Sequence, residues 1–421
     1  MCEEARHWLL LSWLIAVDKG NNKIRPIAGG TVFVKLAATY LMENLEQTKN
    51  IFRESGVQCG VFMPDGATVA RNFTQIALEA NPGSVVIKVD FKNAFNTLSR
   101  KNMLTYLFQE PRLLPLYRLA SWIYGRPSTL LVRNRAGRPV ESIPSMQGVR
   151  QGCVLGSLLF AIATKRMLSD VKTHFPEIEV LAYLDDVILV EKPDRCLDAL
   201  DQLAKDAADL LLTVQTDKCE VLVSPSIDPD TQNALFHRGL ELVQNSLPLL
   251  GSVVGIEHDH LRNWAEEEVQ SWQKTLSMMA RKELPVQLSL LLTRWTLTAK
   301  PNFMARTLPP GLTLNALKRL DKAVIETIQN RTQLRFEDFA LKLLQLPTRH
   351  GGAGFCPSAD TAPHAFVAGM AATLSGFMGH SNLLHSKAWH DFKDIPSFKA
   401  WTPFSENRTL RRTSGFWAKE I

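Results

Sequence analysis

Val180-Leu181-Ala182-Tyr183-Leu184-Asp185-Asp186-Val187-Ile188-Leu189-Val190 is the stretch that decides how this chain is read. Two apolar runs flank Tyr183-Leu184-Asp185-Asp186, the pattern of strand, tight turn and strand with adjacent carboxylates at the tip. Acids beside buried strands are costly unless a cation or partner neutralises them. A third carboxylate, Asp90, closes a second apolar run, Val85-Val86-Ile87-Lys88-Val89. Three acids on two strand ends supply what a two-metal phosphoryl-transfer site needs, and cations would relieve their mutual repulsion. Paired acids at a turn are most often plain solvated turn residues. Here Asp90, a glycine-rich segment at 148–156 and the paired acids follow in that order, which favours the catalytic reading.

The rest of the composition is compatible with that chemistry. At 421 residues the chain has room for two or three subdomains. The net charge of +6 is local, because residues 261–350 hold 14 Lys+Arg against 8 Asp+Glu. A basic C-terminal half beside an acidic centre suits a polyanion laid across the protein. The cysteines (2, 59, 153, 196, 219 and 356) show neither CxxC nor Cys/His ligand spacing, which argues against a zinc site and a disulfide scaffold. The apolar run Trp8 to Val17 is too short to span a bilayer and is a poor signal peptide, since Glu3 and Glu4 precede it.

Read along the chain, residues 1–14 form a short helix, and Leu14–Val17 and Ile24–Ala28 flank a hairpin turn at 18–23. Thr31–Gln47 is helical, 49–65 irregular, Ala67–Ala80 helical and 84–90 a strand. Ser99 is the N-cap of a helix over 100–109, and Pro111 opens one that runs to Tyr124. A hairpin surrounds Ala136-Gly137, and helices cover 157–172 and 195–211. Short strands fall near 219–223 and 249–254. A helical, basic run follows residue 260, broken at Pro285, Pro301 and Pro309-Pro310, and period is lost past 380. The expected class is α+β with a helical C-terminal domain.

At this point the residues carry a resemblance. Val85 to Arg100, including Asp90-Phe91-Lys92-Asn93-Ala94-Phe95, resembles motif A of reverse transcriptases. Gln147-Gly148-Val149-Arg150-Gln151-Gly152-Cys153-Val154-Leu155-Gly156-Ser157 resembles motif B, and Ala182-Tyr183-Leu184-Asp185-Asp186 resembles motif C. Lys23-Ile24-Arg25-Pro26-Ile27-Ala28, Gln58-Cys59-Gly60-Val61 and Leu346-Pro347 with Gly351 to Phe355 are similar to accessory segments of non-LTR (LINE-like) retrotransposons. The resemblance runs in order from about residue 8 to about 375.

The resemblance implies a right-hand polymerase with fingers at 1–83, truncated at the N-terminus, palm at 84–258, helical thumb at 259–335 and a C-terminal extension at 336–421. It implies that Asp90, Asp185 and Asp186 hold two Mg²⁺ ions, with Mn²⁺ as a substitute. It implies that Lys218 protonates the pyrophosphate leaving group. Lys23 and Arg25 would hold the incoming triphosphate, Phe95 would act as steric gate against a ribose 2′-OH, and Phe91, Gln151, Gly152 and Tyr183 would line the substrate site. Leu250-Gly251 would be the primer-grip turn. The partners implied are an RNA template, a DNA primer or target and dNTPs, with nuclear DNA as the place of work and no membrane. Val154 and Ser157 stand where motif B often has Pro.

The expected activity is RNA-directed DNA polymerisation. Because no upstream endonuclease, Cys/His knuckle or nuclease carboxylate set is legible, the chain is expected to be a polymerase core without a DNA-nicking domain. One rival is a decayed fragment that only binds nucleic acid. The other is an RNA-dependent RNA polymerase, disfavoured by Phe95 and by the Leu within the Tyr-Leu-Asp-Asp turn.

Overall fold

The structure, a computed structural model, describes residues 3–20, 23–134, 136–224, 227–377 and 396–397. In chain order its strands are β1 (Ser12–Gly20), β2 (Lys23–Gly29), β3 (Val85–Val89), β4 (Ser128–Arg133), β5 (Pro139–Ser145), β6 (Glu179–Tyr183), β7 (Asp186–Glu191), β8 (Glu220–Val223), β9 (Glu241–Gln244), β10 (Ser246–Leu249) and β11 (Ser252–Gly255).

The central sheet has five strands in the order β6-β7-β3-β8-β9, antiparallel except for the β8–β9 pair. Its strands read as unbroken apolar runs because both faces are covered. Val85, Ile87, Val89, Val187 and Leu189 enter one core, against the helices Arg100–Gln109, Leu114–Tyr124, Gly156–His174 and Pro193–Asp209. Val86, Leu181, Ile188, Val190 and Leu222 enter a second core on the opposite face, against helix Gly66–Ala80. Strand alternation puts Asp90 on the second face, in line with Val86 and Lys88. There Lys88 forms an ion pair with Glu220, its partner across the β3–β8 ladder.

A second sheet, β2-β1-β4-β5, lies at the N-terminal end. Asn21 and Asn22, at the tip of its first hairpin, lie outside the described residues. The expected helix over Thr31–Gln47 and the irregular stretch after it are instead two helices, Val32–Glu43 and Glu46–Ser55. The second buries Thr48, Ile51 and Phe52 at helical spacing and stops at Gly56, which is left-handed at φ 60°. A further helix, Pro229–His237, begins on the Asp228 side chain, which accepts from Thr231 N at 2.8 Å. Ser99 caps its helix as its sequence position suggests, accepting from Asn102 N.

The C-terminal helices His258–Met279, Val286–Leu297, Pro301–Thr307 and Pro310–Thr332 enclose a third core. Pro285, Pro301 and Pro310 stand at helix starts, where the missing N–H leaves nothing unpaired. The helix Ser358–Phe377 turns back onto helix Gly66–Ala80, with Phe377 stacked on Phe73 at 4.0 Å between ring centroids. Arg71 fastens the same region: its buried guanidinium donates to the carbonyls of Val253 and Thr307, joining helix Gly66–Ala80 to β11 and helix Pro301–Thr307.

Candidate active site

Antiparallel register decides where the acids stand. Val89 pairs with Val187 across β3 and β7, so Asp90, which follows one, and Asp186, which precedes the other, leave the sheet at the same end. Tyr183 pairs with Asp186 across β6 and β7, leaving Leu184-Asp185 as a two-residue loop. Asp185 and Asp186 are half-buried. The Asp90 main chain is held on both sides, its carbonyl accepting from Gln215 N at 2.8 Å and its N–H donating to Cys219 Sγ at 3.4 Å. The segment 215–219 that brackets Asp90 also carries Lys218, whose Nζ donates to Gln215 Oε1 at 2.6 Å.

The Leu184-Asp185 loop is unusual for a hairpin, because Leu184 sits at φ +59° with no glycine in the turn. Its support comes from far upstream. Residues 57–59 lie alongside β6, Ala182 donating to Val57 O and Cys59 N donating to Ala182 O. Between them the buried Gln58 turns its amide oxygen inward, where it accepts from Leu184 N at 2.8 Å and Gly60 N at 2.9 Å. Gly60 rests directly on the turn: a Cβ there would lie 2.8 Å from both Leu184 N and Leu184 Cγ. The Gln-x-Gly spacing was legible as a family-like segment, but nothing local in it points to a contact across 126 residues.

The other expected residues divide. The Phe95 ring is half-buried and stacks on Phe160 of helix Gly156–His174, centroids 4.6 Å apart, which fixes it at the motif A turn. Gln151 accepts from Ala28 N at 2.7 Å, and a Cβ on Gly152 would come within 2.9 Å of Ala28 O, so the motif B turn closes on β2. Arg25 is exposed on that strand, and the side chain of Lys23 lies outside the described residues. Tyr183 packs against the second core. The Phe91 ring is buried among the first-face core residues, continuing the Val85, Ile87, Val89 alternation. Leu250-Gly251 forms the two-residue loop between β10 and β11. Arg100 donates to the carbonyls of Ser145, Gln147 and Gly148, bracing the start of motif B from beneath.

The oxygen-only donor set of Asp90, Asp185 and Asp186 suits a hard divalent cation and is wrong for a thiolate-seeking one. The main chain brings the three to one sheet end. Among the described residues, however, no three His, Cys, Asp or Glu side chains already converge as a metal-ligand group. The residues fit such an ion through their placement at one sheet end rather than through a closed cage. No described helix is long and apolar enough to cross a membrane.

Comparison with known proteins agrees with this geometry. Residues 17–257 match the model of the family described as reverse transcriptase (RNA-dependent DNA polymerase). The chain is 27% identical over 359 residues to the retrotransposable element SLACS 132 kDa protein of Trypanosoma brucei gambiense. That alignment takes in 84% of this chain, which spans only 29% of the relative's length. Among solved structures, apo telomerase from Candida tropicalis aligns with a TM-score of 0.49 at 12% identity, over 92% of this chain and 70% of that one. Telomerase from Candida albicans with a fragment of telomeric RNA aligns with a TM-score of 0.43 at 12% identity, over 92% and 65%.

Proposed function

The chain belongs to the reverse transcriptase family, RNA-directed DNA polymerases that use divalent metal ions, and from that premise we propose how its own residues serve the reaction and where it operates. The carrying observation is the register that delivers Asp90 and Asp186 to one end of the central sheet, with Asp185 in the adjoining turn. The reaction is attack of a primer 3′-OH on the α-phosphate of a dNTP, with pyrophosphate leaving. Two Mg²⁺ ions, when bound, neutralise charge on the attacking and leaving oxygens. Asp90, Asp185 and Asp186 would hold those ions, and the brackets at Gln215 and Cys219 fix the Asp90 main chain. Lys218, on the same segment, delivers a proton to the leaving pyrophosphate.

Arg25 and Lys23 meet the triphosphate from the fingers hairpin, and Gln151 and Gly152, held against β2 at Ala28, line the nucleotide site. The Phe95 ring, held by Phe160, excludes a 2′-OH and so selects deoxynucleotides. The basic C-terminal helices hold the template–primer duplex through its phosphates, with the Leu250-Gly251 turn against the primer. The SLACS likeness supports a non-LTR retrotransposon as the source, and we place its work at nuclear DNA on that reading alone.

The test is primer extension on an RNA template with Mg²⁺ and dNTPs, comparing this chain with Asp185→Asn/Asp186→Asn. Extension by the parent alone supports the reading. Retained duplex binding without extension by either replaces it with a decayed fragment that only binds nucleic acid. Phe95→Ala should admit rNTPs; unchanged sugar selectivity removes the gate assignment.

A further inference from the structure

We infer that Gln58 is a positioning residue of the polymerase, a brace that holds the Tyr183–Asp186 turn in the one conformation that presents the carboxylates. The inference rests on the polymerase reading above and adds to it a residue outside motifs A, B and C. Three observations carry it. The turn has no intrinsic reason to adopt its shape, since Leu184 is left-handed at φ +59° and neither loop residue is glycine. The buried Gln58 amide oxygen takes the N–H groups of Leu184 and Gly60 together, at 2.8 and 2.9 Å. Both neighbours are donors, so the amide can stand only this way round. Finally, Gly60 leaves no slack, because its backbone lies where any side chain would push on Leu184 N and Cγ.

Without the acceptor, the Leu184 N–H loses its partner in a half-buried site and the turn relaxes toward ordinary φ. The carboxylates are displaced while the sheet beneath them stays paired. A displacement of about 1 Å in a reacting constellation costs on the order of 10²-fold in rate. Gln58 touches neither substrate nor metal, so dNTP KM and duplex affinity should hold while kcat falls.

The experiment uses the full chain with Gln58→Met, which keeps the length but removes the acceptor, and Gln58→Glu, whose carboxyl, buried against the Leu184 turn, stays protonated and so keeps both an acceptor oxygen and a donor toward Leu184 O. The first readout is amide hydrogen exchange over residues 180–190 without metal or nucleotide, so it stands whether or not the chain extends primers. Expected are faster exchange confined to the turn in Gln58→Met, protection restored in Gln58→Glu, and kcat lowered about 10- to 100-fold in Gln58→Met at unchanged KM. Parent-like turn exchange and kcat in Gln58→Met overturn the brace. If Gln58→Met instead loosens the whole molecule, the pair decides: protection regained in Gln58→Glu supports the brace, and equal global loss in both overturns it. An inactive parent with a turn that loosens only in Gln58→Met keeps the brace and removes the polymerase reading.

Discussion

Two hairpins in this molecule share a design and differ in what holds it. β6–β7 and β10–β11 each close over two residues, and each places a leucine first in the loop at positive φ, Leu184 at 59° and Leu250 at 52°. In β10–β11 the second position is Gly251, at φ 83°, so both loop residues have the sign that a tight primed turn requires and the sequence itself specifies the bend. In β6–β7 the second position is Asp185, committed to chemistry. A non-glycine residue held left-handed costs about 1–3 kcal/mol and persists only when its surroundings over-determine it. The β10–β11 hairpin is shaped from within. The β6–β7 hairpin is shaped from outside, by a glutamine 126 residues away.

The largest expected effect separates the two by chemistry. Asp185→Asn keeps the side-chain volume and the turn but removes a charge, and should lower the single-turnover rate by about 10³-fold or more while melting as the parent does. Residual activity near the parental level would take Asp185 out of the site. Next come two glycine substitutions that are identical on paper. Gly60→Ala has no φ obstacle, yet its methyl meets Leu184 at 2.8 Å, so steady-state kinetics should show kcat down about 10- to 100-fold at constant KM. Gly251→Ala meets nothing closer than Phe303 Cε1 at 3.8 Å, so its cost is the positive φ, about 1–2 kcal/mol in denaturant melts, with any kinetic change falling on primer affinity and not on amide exchange at the Leu184 turn. If both substitutions acted alike, the contrast between the hairpins would collapse.

The smallest effect uses Cys59, which lies between the brace and Gly60. Burial pushes its thiol up from 9.0 to about 12. The folded value is raised, so the stability tied to the neutral thiol is complete below the ordinary value and drains away as pH climbs from about 9 toward 12. Thiol labelling of the native chain should therefore miss Cys59 at pH 8 and not accelerate by pH 9, while the half-exposed Cys153 and Cys356 react. In Gly60→Ala the Cys59 thiol should become accessible before the rest of the palm loosens; mass mapping of the labelled peptides checks this.

Much of this arrangement was legible where local pattern carries it. Val85–Val89 and the runs around Tyr183-Leu184-Asp185-Asp186 announce strands, Ser99 announces a cap, and the acids are where the apolar runs end. The face that the Phe91 ring takes follows from strand alternation, not from its motif position. Helix Glu46–Ser55 was hidden by polar composition, its burial resting on Thr48, Ile51 and Phe52. β9 was missed because Glu241–Gln244 is short and half-exposed and gains its place only by pairing with β8. The Gln58 contact has no periodicity at all, since it exists only once two distant segments are side by side.

The order of the central sheet has a consequence for how the chain is made. β3 is synthesised early, yet its two neighbours are β7 and β8, roughly a hundred or more residues later. Its apolar faces and the Gln58 amide must wait through that interval, and such non-local pairing makes for slow assembly and exposed strand edges. A ribosome that stalls between residues 90 and 180 leaves β3 without either of its strand partners. Release of β7 covers one edge of β3, and the vulnerable period ends only when β8 follows and covers the other.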